Sequence, residues 1–152
     1  MPANYDDKPI NTLKNKISVI VHNKQLSTEE KIRQLNHVHE EIEKHSKRYL
    51  NADLAKTHVD NAIEAVFGSE LRRLNAIREQ NLERVNLDDI EILKDGYALL
   101  FRLIDNTLSW NPEKKNNLEG VINRASLRAM LIDPAVSVKT KQDIMDKWED
   151  FM

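Results

Sequence analysis

Glycine and proline are scarce in this chain, three and four among 152 residues, and that scarcity removes the material from which the tight reversals of a many-stranded sheet are made. Apolar residues meanwhile recur at three- and four-residue spacing along nearly the whole sequence, the period of an α-helix. The pattern predicts an all-α fold: a single compact bundle of six or seven mostly antiparallel helices around a buried central helix at about 88–108. Short connections and the lack of any repeat or low-complexity linker predict one domain over 9–152, preceded by a flexible segment 1–8.

The segments follow from stripes and stop signals. The first helix is expected from about Pro9 to His22, with Ile10, Leu13, Ile17 and Ile20 on one face. Ser27 and Glu30 form a capping-box pattern that opens a second helix carrying Ile32, Leu35, Val38, Ile42 and Tyr49 to about Leu50. A third runs from about Asp53 to Phe67 and stops at Gly68, after which Ser69 caps a fourth with Leu71, Leu74, Ile77, Leu82 and Val85. One helix continuing through Gly68 is the alternative, since glycine inside a helix costs only about 1 kcal/mol relative to alanine. The fifth has two stripes, Ile90, Leu93, Tyr97, Leu100 and Ile104 beside Ile92, Leu99 and Leu103, which marks it as central. Asn111-Pro112 opens a sixth with Leu118, Val121, Ile122, Ala125 and Ala129, ended by Asp133-Pro134. Ser137 caps the last, which presents Ile144, Met145, Trp148 and Phe151.

Composition excludes several classes of chemistry. Without cysteine there are no disulfides, thiolate zinc sites, iron–sulfur clusters or cysteine nucleophiles, and a reducing, cytoplasmic setting suits such a chain. A formal net charge of −2 denies it the broad positive field of a non-specific nucleic-acid binder. Lys8, Lys14, Lys16 and Lys24, and Arg72, Arg73, Arg78 and Arg84, are the basic concentrations, and few aromatics accompany them for base stacking. No apolar run approaches the roughly 20 residues needed to span a bilayer, and Met1–Lys8 has no signal-peptide character.

Ligand-type side chains are densest in the second helix. His37, Glu41 and His45 are spaced by four and share a face, so either histidine with Glu41 offers two donors to a metal ion. The outer pair lies about 12 Å apart along the axis, too far for one ion to take both from an undistorted helix. His39-Glu40-Glu41-Ile42-Glu43 has glutamate where the second histidine of a zinc protease must stand. Arg33 and His39 have the spacing of the helical HEPN ribonucleases but point roughly 120° apart on one helix. With no glycine-rich phosphate loop and no nucleophile elbow either, the residues imply no cofactor and no resident metal.

Arg78 is the informative position. It projects into the stripe of Leu71, Leu74, Leu82 and Val85 with Asn81 beside it, where a charge must find an acceptor or reach the edge of the core. With Arg73, Trp148 and Phe151, these residues are the candidates for contact with a partner. At the C-terminus, Asp143, Asp146, Glu149 and Asp150 alternate with Ile144, Met145, Trp148, Phe151 and Met152. Those dozen or so residues resemble the acidic, hydrophobic translocation signals of bacterial type IV effectors, a resemblance that implies delivery into a host cell and action on a host protein. The function expected from the residues themselves is a non-enzymatic protein–protein interaction module: adaptor, inhibitor or regulatory subunit. Self-association is compatible with the same surface, and a helical enzyme or RNA-binding protein would need a site assembled across helices.

Overall fold

The structure, a computed structural model, describes residues 3–148, with side chains for 8–148. It is helical throughout: α1 (Ala3–His22), α2 (Thr28–Lys44), a 3-10 turn at Ser46–Arg48, α3 (Ala52–Gln80), α4 (Leu87–Asp105), α5 (Pro112–Met130) and α6 (Val138–Asp146). No strand occurs among the described residues. No described helix is long and apolar enough to cross a membrane. Two compact units divide the chain, Met1–Gly68 and Ser69–Met152.

In the first unit α1 packs on α2, and Leu13, Ile17 and Ile20 are buried together with Ile32, Leu35, Val38 and Ile42. The first helix starts at Ala3 rather than Pro9, with the proline inside it. A proline there deletes one backbone bond without ending the helix. Ser27 caps α2 by accepting from the Glu30 amide at 3.1 Å. The reciprocal half of the expected box gives way to other pairings, because the Glu30 carboxylate binds Arg33 and accepts from Gln34. The helix ends at Lys44, short of the expected Leu50: the inward positions of the next turn after Ile42 are His45 and Ser46, so that turn would bury no apolar surface. Tyr49 accordingly falls outside the helix.

The expected break at Gly68 does not occur. Phe67 and Leu71 on either side of it are buried in phase with Val59, Ile63 and Leu74, and burying them outweighs the glycine's cost of about 1 kcal/mol. The helix stops instead at Gln80. Asn81 Nδ2 donates to the Ile77 carbonyl at 2.8 Å, closing the last turn with a side chain. Leu82 and Val85, expected on the helical stripe, lie beyond it and are exposed.

The second unit contains the remainder. Asn86 caps α4 by accepting from the Asp88 amide at 2.9 Å, and α4 packs on α5. One face of α4, from Ile90 through Leu93, Gly96, Tyr97 and Leu100 to Leu103 and Ile104, is buried. Of the second expected stripe only Leu103 joins it: Ile92, about 200° round the helix from Ile90, is exposed, and Leu99 is half-buried. Asn111 caps α5 with proline in its first turn, and Leu118, Ile122, Ala125 and Ala129 face inward while Val121 is exposed. Asp133 ends this stretch: one oxygen accepts from the Ala135 amide at 2.8 Å and the other pairs with Lys94 at 3.5 Å. Ser137 caps α6 by accepting from Thr140 at 3.1 Å.

Candidate functional site

Several exposed and half-buried apolar side chains of the second unit come together where three helix ends meet. Arg78 and Leu82 come from the end of α3 and the turn after it, Arg128, Leu131 and Ile132 from the end of α5, and Met145 and Trp148 from α6 and its exit. Together they line an open groove of about 430 Å³. The local sequence dictates each position. Asn81 halts α3 and turns Leu82 outward, Leu131 and Ile132 lie between the end of α5 at Met130 and the Asp133 turn, and the Ser137 cap starts α6 in a phase that buries Ile144 and leaves Met145 60% exposed.

The groove is cationic on an apolar floor. Among the described residues its lining holds two arginines and no acidic side chain. Arg128 lies over the Trp148 ring, 5.9 Å from guanidinium carbon to ring centroid, a cation–π contact that orders both. Arg78 is half-buried, and its Nε is enclosed without a hydrogen-bond partner among the described residues. The Tyr97 hydroxyl, also enclosed, likewise has none. Burial pushes that hydroxyl's pKa up, and the charges of Arg78 and Arg128 both oppose the rise.

The other expected contact residues are placed elsewhere. Asn81 is 1% exposed and its amide is committed to the turn: Nδ2 donates to Asp89 at 2.9 Å as well as to Ile77, and Oδ1 accepts from the Asn86 amide at 2.6 Å. Arg73 is bonded to Glu70 one turn away on α3 and does not line the groove. Phe151 lies outside the described residues. Sequence reasoning missed Arg128, Leu131 and Ile132, whose only signal was an apolar pair set between a basic helix end and a helix-breaking Asp133-Pro134.

In the first unit His37, Glu41 and His45 do meet. His37 Nε2 is 3.7 Å from one Glu41 oxygen and His45 Nε2 is 3.6 Å from the other, so one carboxylate stands between two imidazoles. Lys8, Lys16, Arg48 and Tyr49 share their cleft. Among the described residues no group of three metal-ligating side chains is placed to hold an ion. Arg33 pairs with Glu30 on the surface while His39 is 5% exposed, so the ribonuclease-like spacing forms no pair. Displaced titrations gather at His39, Glu43 and Lys56, where the Lys56 ammonium pairs with Glu43 at 2.5 Å, but none of the three lines a described cleft. Of the clefts described, only a small one of about 190 Å³ beside α4 and α5 contains such a group, Tyr97.

Compared with protein-family models, with curated proteins and with solved structures, the chain matches none.

Proposed function

We propose that this chain is a protein-interaction module, cytoplasmic in setting, that docks a segment of another protein in the groove between the ends of α3, α5 and α6. The observation that carries this reading is the lining itself. Leu82 and Met145 are 56% and 60% exposed within a concave surface that also contains Leu131, Ile132 and Trp148. Apolar side chains left together in a groove gain about 25 cal/mol for every Å² that a partner removes from water, and an aromatic and arginines beside them are the residue types that dominate binding energy at interfaces. Two cations without an acid among the described lining residues further select against a basic partner.

Selection of a phage-displayed random peptide library on the intact protein tests this. Peptides recovered should lose about tenfold or more in affinity when Leu82→Asp and Met145→Asp are introduced together, while thermal stability stays close to the parent's because both residues are already in water. Peptides that bind parent and double variant equally, or a selection with no groove-dependent peptide, would overturn the proposal.

A further inference from the structure

We infer that the groove's occupant is an acidic–apolar segment, with a carboxylate seated on Arg78 and Arg128 and apolar side chains over Leu82, Ile132, Met145 and Trp148. The inference rests on the docking reading and adds the chemistry of the partner.

Three observations support it. The first is the imbalance of charge, two guanidiniums and no carboxylate among the described residues that line the groove. The second is Arg78, whose enclosed Nε has no acceptor among the described residues. The enclosed Nε is closed to a ligand as it is to water, so the Nη atoms of Arg78, which lines the groove, are what an incoming acceptor meets. Carboxylate is the acceptor whose geometry matches a guanidinium edge, by two parallel N–H···O bonds. The third is convergence. Arg78 and Arg128 stand on different helices, yet both act on the one Tyr97 hydroxyl, so the two positive charges fall on a common region. Trp148 holds Arg128 by its ring face, which leaves the edge of that guanidinium, with its donors, for a ligand.

The apolar floor decides between classes of anion. A nucleic-acid strand would offer phosphates to the same arginines, but it would find one aromatic platform and a floor of leucine, isoleucine and methionine, which suits aliphatic side chains. A protein segment with a glutamate or aspartate followed at helical spacing by leucine, methionine or phenylalanine satisfies both parts of the surface.

The test uses the peptides from the library selection, remade synthetically, against the full chain. They should share an acidic position. Replacing that acid by its amide, or Arg78 by alanine, should each weaken binding about tenfold or more. The two changes together should cost little beyond either one, because they remove one contact. Affinity should fall with added salt. The charge-swapped pair, Arg78→Glu with the peptide acid changed to arginine, should recover part of the loss. Arg128→Ala, at an exposed side chain, provides the same measurement should Arg78→Ala fail to fold. Peptides that depend on the groove but carry no acid, or that ignore both arginine variants, would overturn this inference and leave the docking reading standing. A large loss of thermal stability in Arg78→Ala with binding unchanged would assign the arginine to an internal pair. Displacement of the peptides by polyuridine at equal concentration would assign the groove to nucleic acid.

Discussion

A methyl group added to Gly96 would stand 2.5 Å from Leu74 Cδ2 and 3.0 Å from Leu74 Cδ1. Leu74 is fully buried, so its side chain can yield only by moving against the core around it. The crossing of α3 and α4 is therefore set by the missing side chain at residue 96. At Gly120 the nearest atom is Arg124 Nη1 at 3.3 Å, the far end of a flexible side chain that can swing into solvent.

The two glycines should respond oppositely to alanine. Gly96→Ala gains up to about 1 kcal/mol of helix propensity but overpacks the crossing at about 1–3 kcal/mol, for a net loss. Gly120→Ala keeps the propensity gain and should stabilise by about 0.5–1 kcal/mol. Urea midpoints of the two variants check this, and a Gly96→Ala protein as stable as its parent would show that Leu74 can be displaced.

Leu108 adopts φ 58 between α4 and α5 and is completely buried. The left-handed backbone costs a residue with a side chain about 1–2 kcal/mol, while burial of the side chain holds it there. Leu108→Ala forfeits the packing, about 2–5 kcal/mol, and keeps the strain. Leu108→Gly forfeits the packing but relaxes the backbone, so the glycine variant should be the more stable of the two by about 1 kcal/mol, reversing the usual order. Chemical denaturation of the pair decides it.

Asn81→Ala should destabilise by about 1–2 kcal/mol, because it removes the one buried side chain that ties the Asn86 amide and the half-buried Asp89 carboxylate to the end of α3. Peptide binding at the groove should suffer only through that turn, which carries Leu82. Asn81→Asp should be worse than alanine, since it sets a second carboxylate against Asp89.

Acid should weaken the first unit before its carboxylates titrate. Burial holds the His39 imidazole below its usual pKa, against the pull of Asp60, Glu43 and Glu40 and with the help of Lys56. Burial and Lys14 do the same to His58. Below about pH 6.5 the unfolded chain therefore binds more protons than the folded one, so stability is full above that pH and declines as pH falls. The hydrogen bond from Arg33 keeps Glu30 ionised down to about 2, outside this window. Urea midpoints between pH 8 and 5.5 should fall toward acid, and His39→Gln should flatten the slope.

The parts of this molecule legible from sequence are those decided within one helix. Ser27, Asn111-Pro112 and Ser137 start helices where their short side chains reach amides two or three residues on, a purely local matter. Gly68 was ambiguous because a local cost of about 1 kcal/mol competes with the burial of Phe67 and Leu71, which depends on neighbours distant in sequence. Val121 and Ile92 have apolar side chains at stripe-like spacing and are exposed all the same, since periodicity names a face without saying how wide a strip the neighbours cover. Arg78 could be singled out as a charge interrupting a stripe. Its groove could not, because Arg128, Ile132 and Trp148 reach it from other helices, and Asn81 could be placed beside it without any sign that Asp89 and Asn86 would claim its amide.

The 29 residues of α3 belong to both compact units, and the division at Gly68 and Ser69 falls in the middle of its hydrogen-bonded ladder. Continuing a helix from an existing turn is far easier than starting one, as the nucleation parameter of about 10⁻³ expresses. Whichever unit orders its share of α3 first thus provides a template on which the other can extend, and a protease that needs an extended backbone finds none at this junction. Amide exchange around Gly68 should accordingly rank among the slowest in the protein.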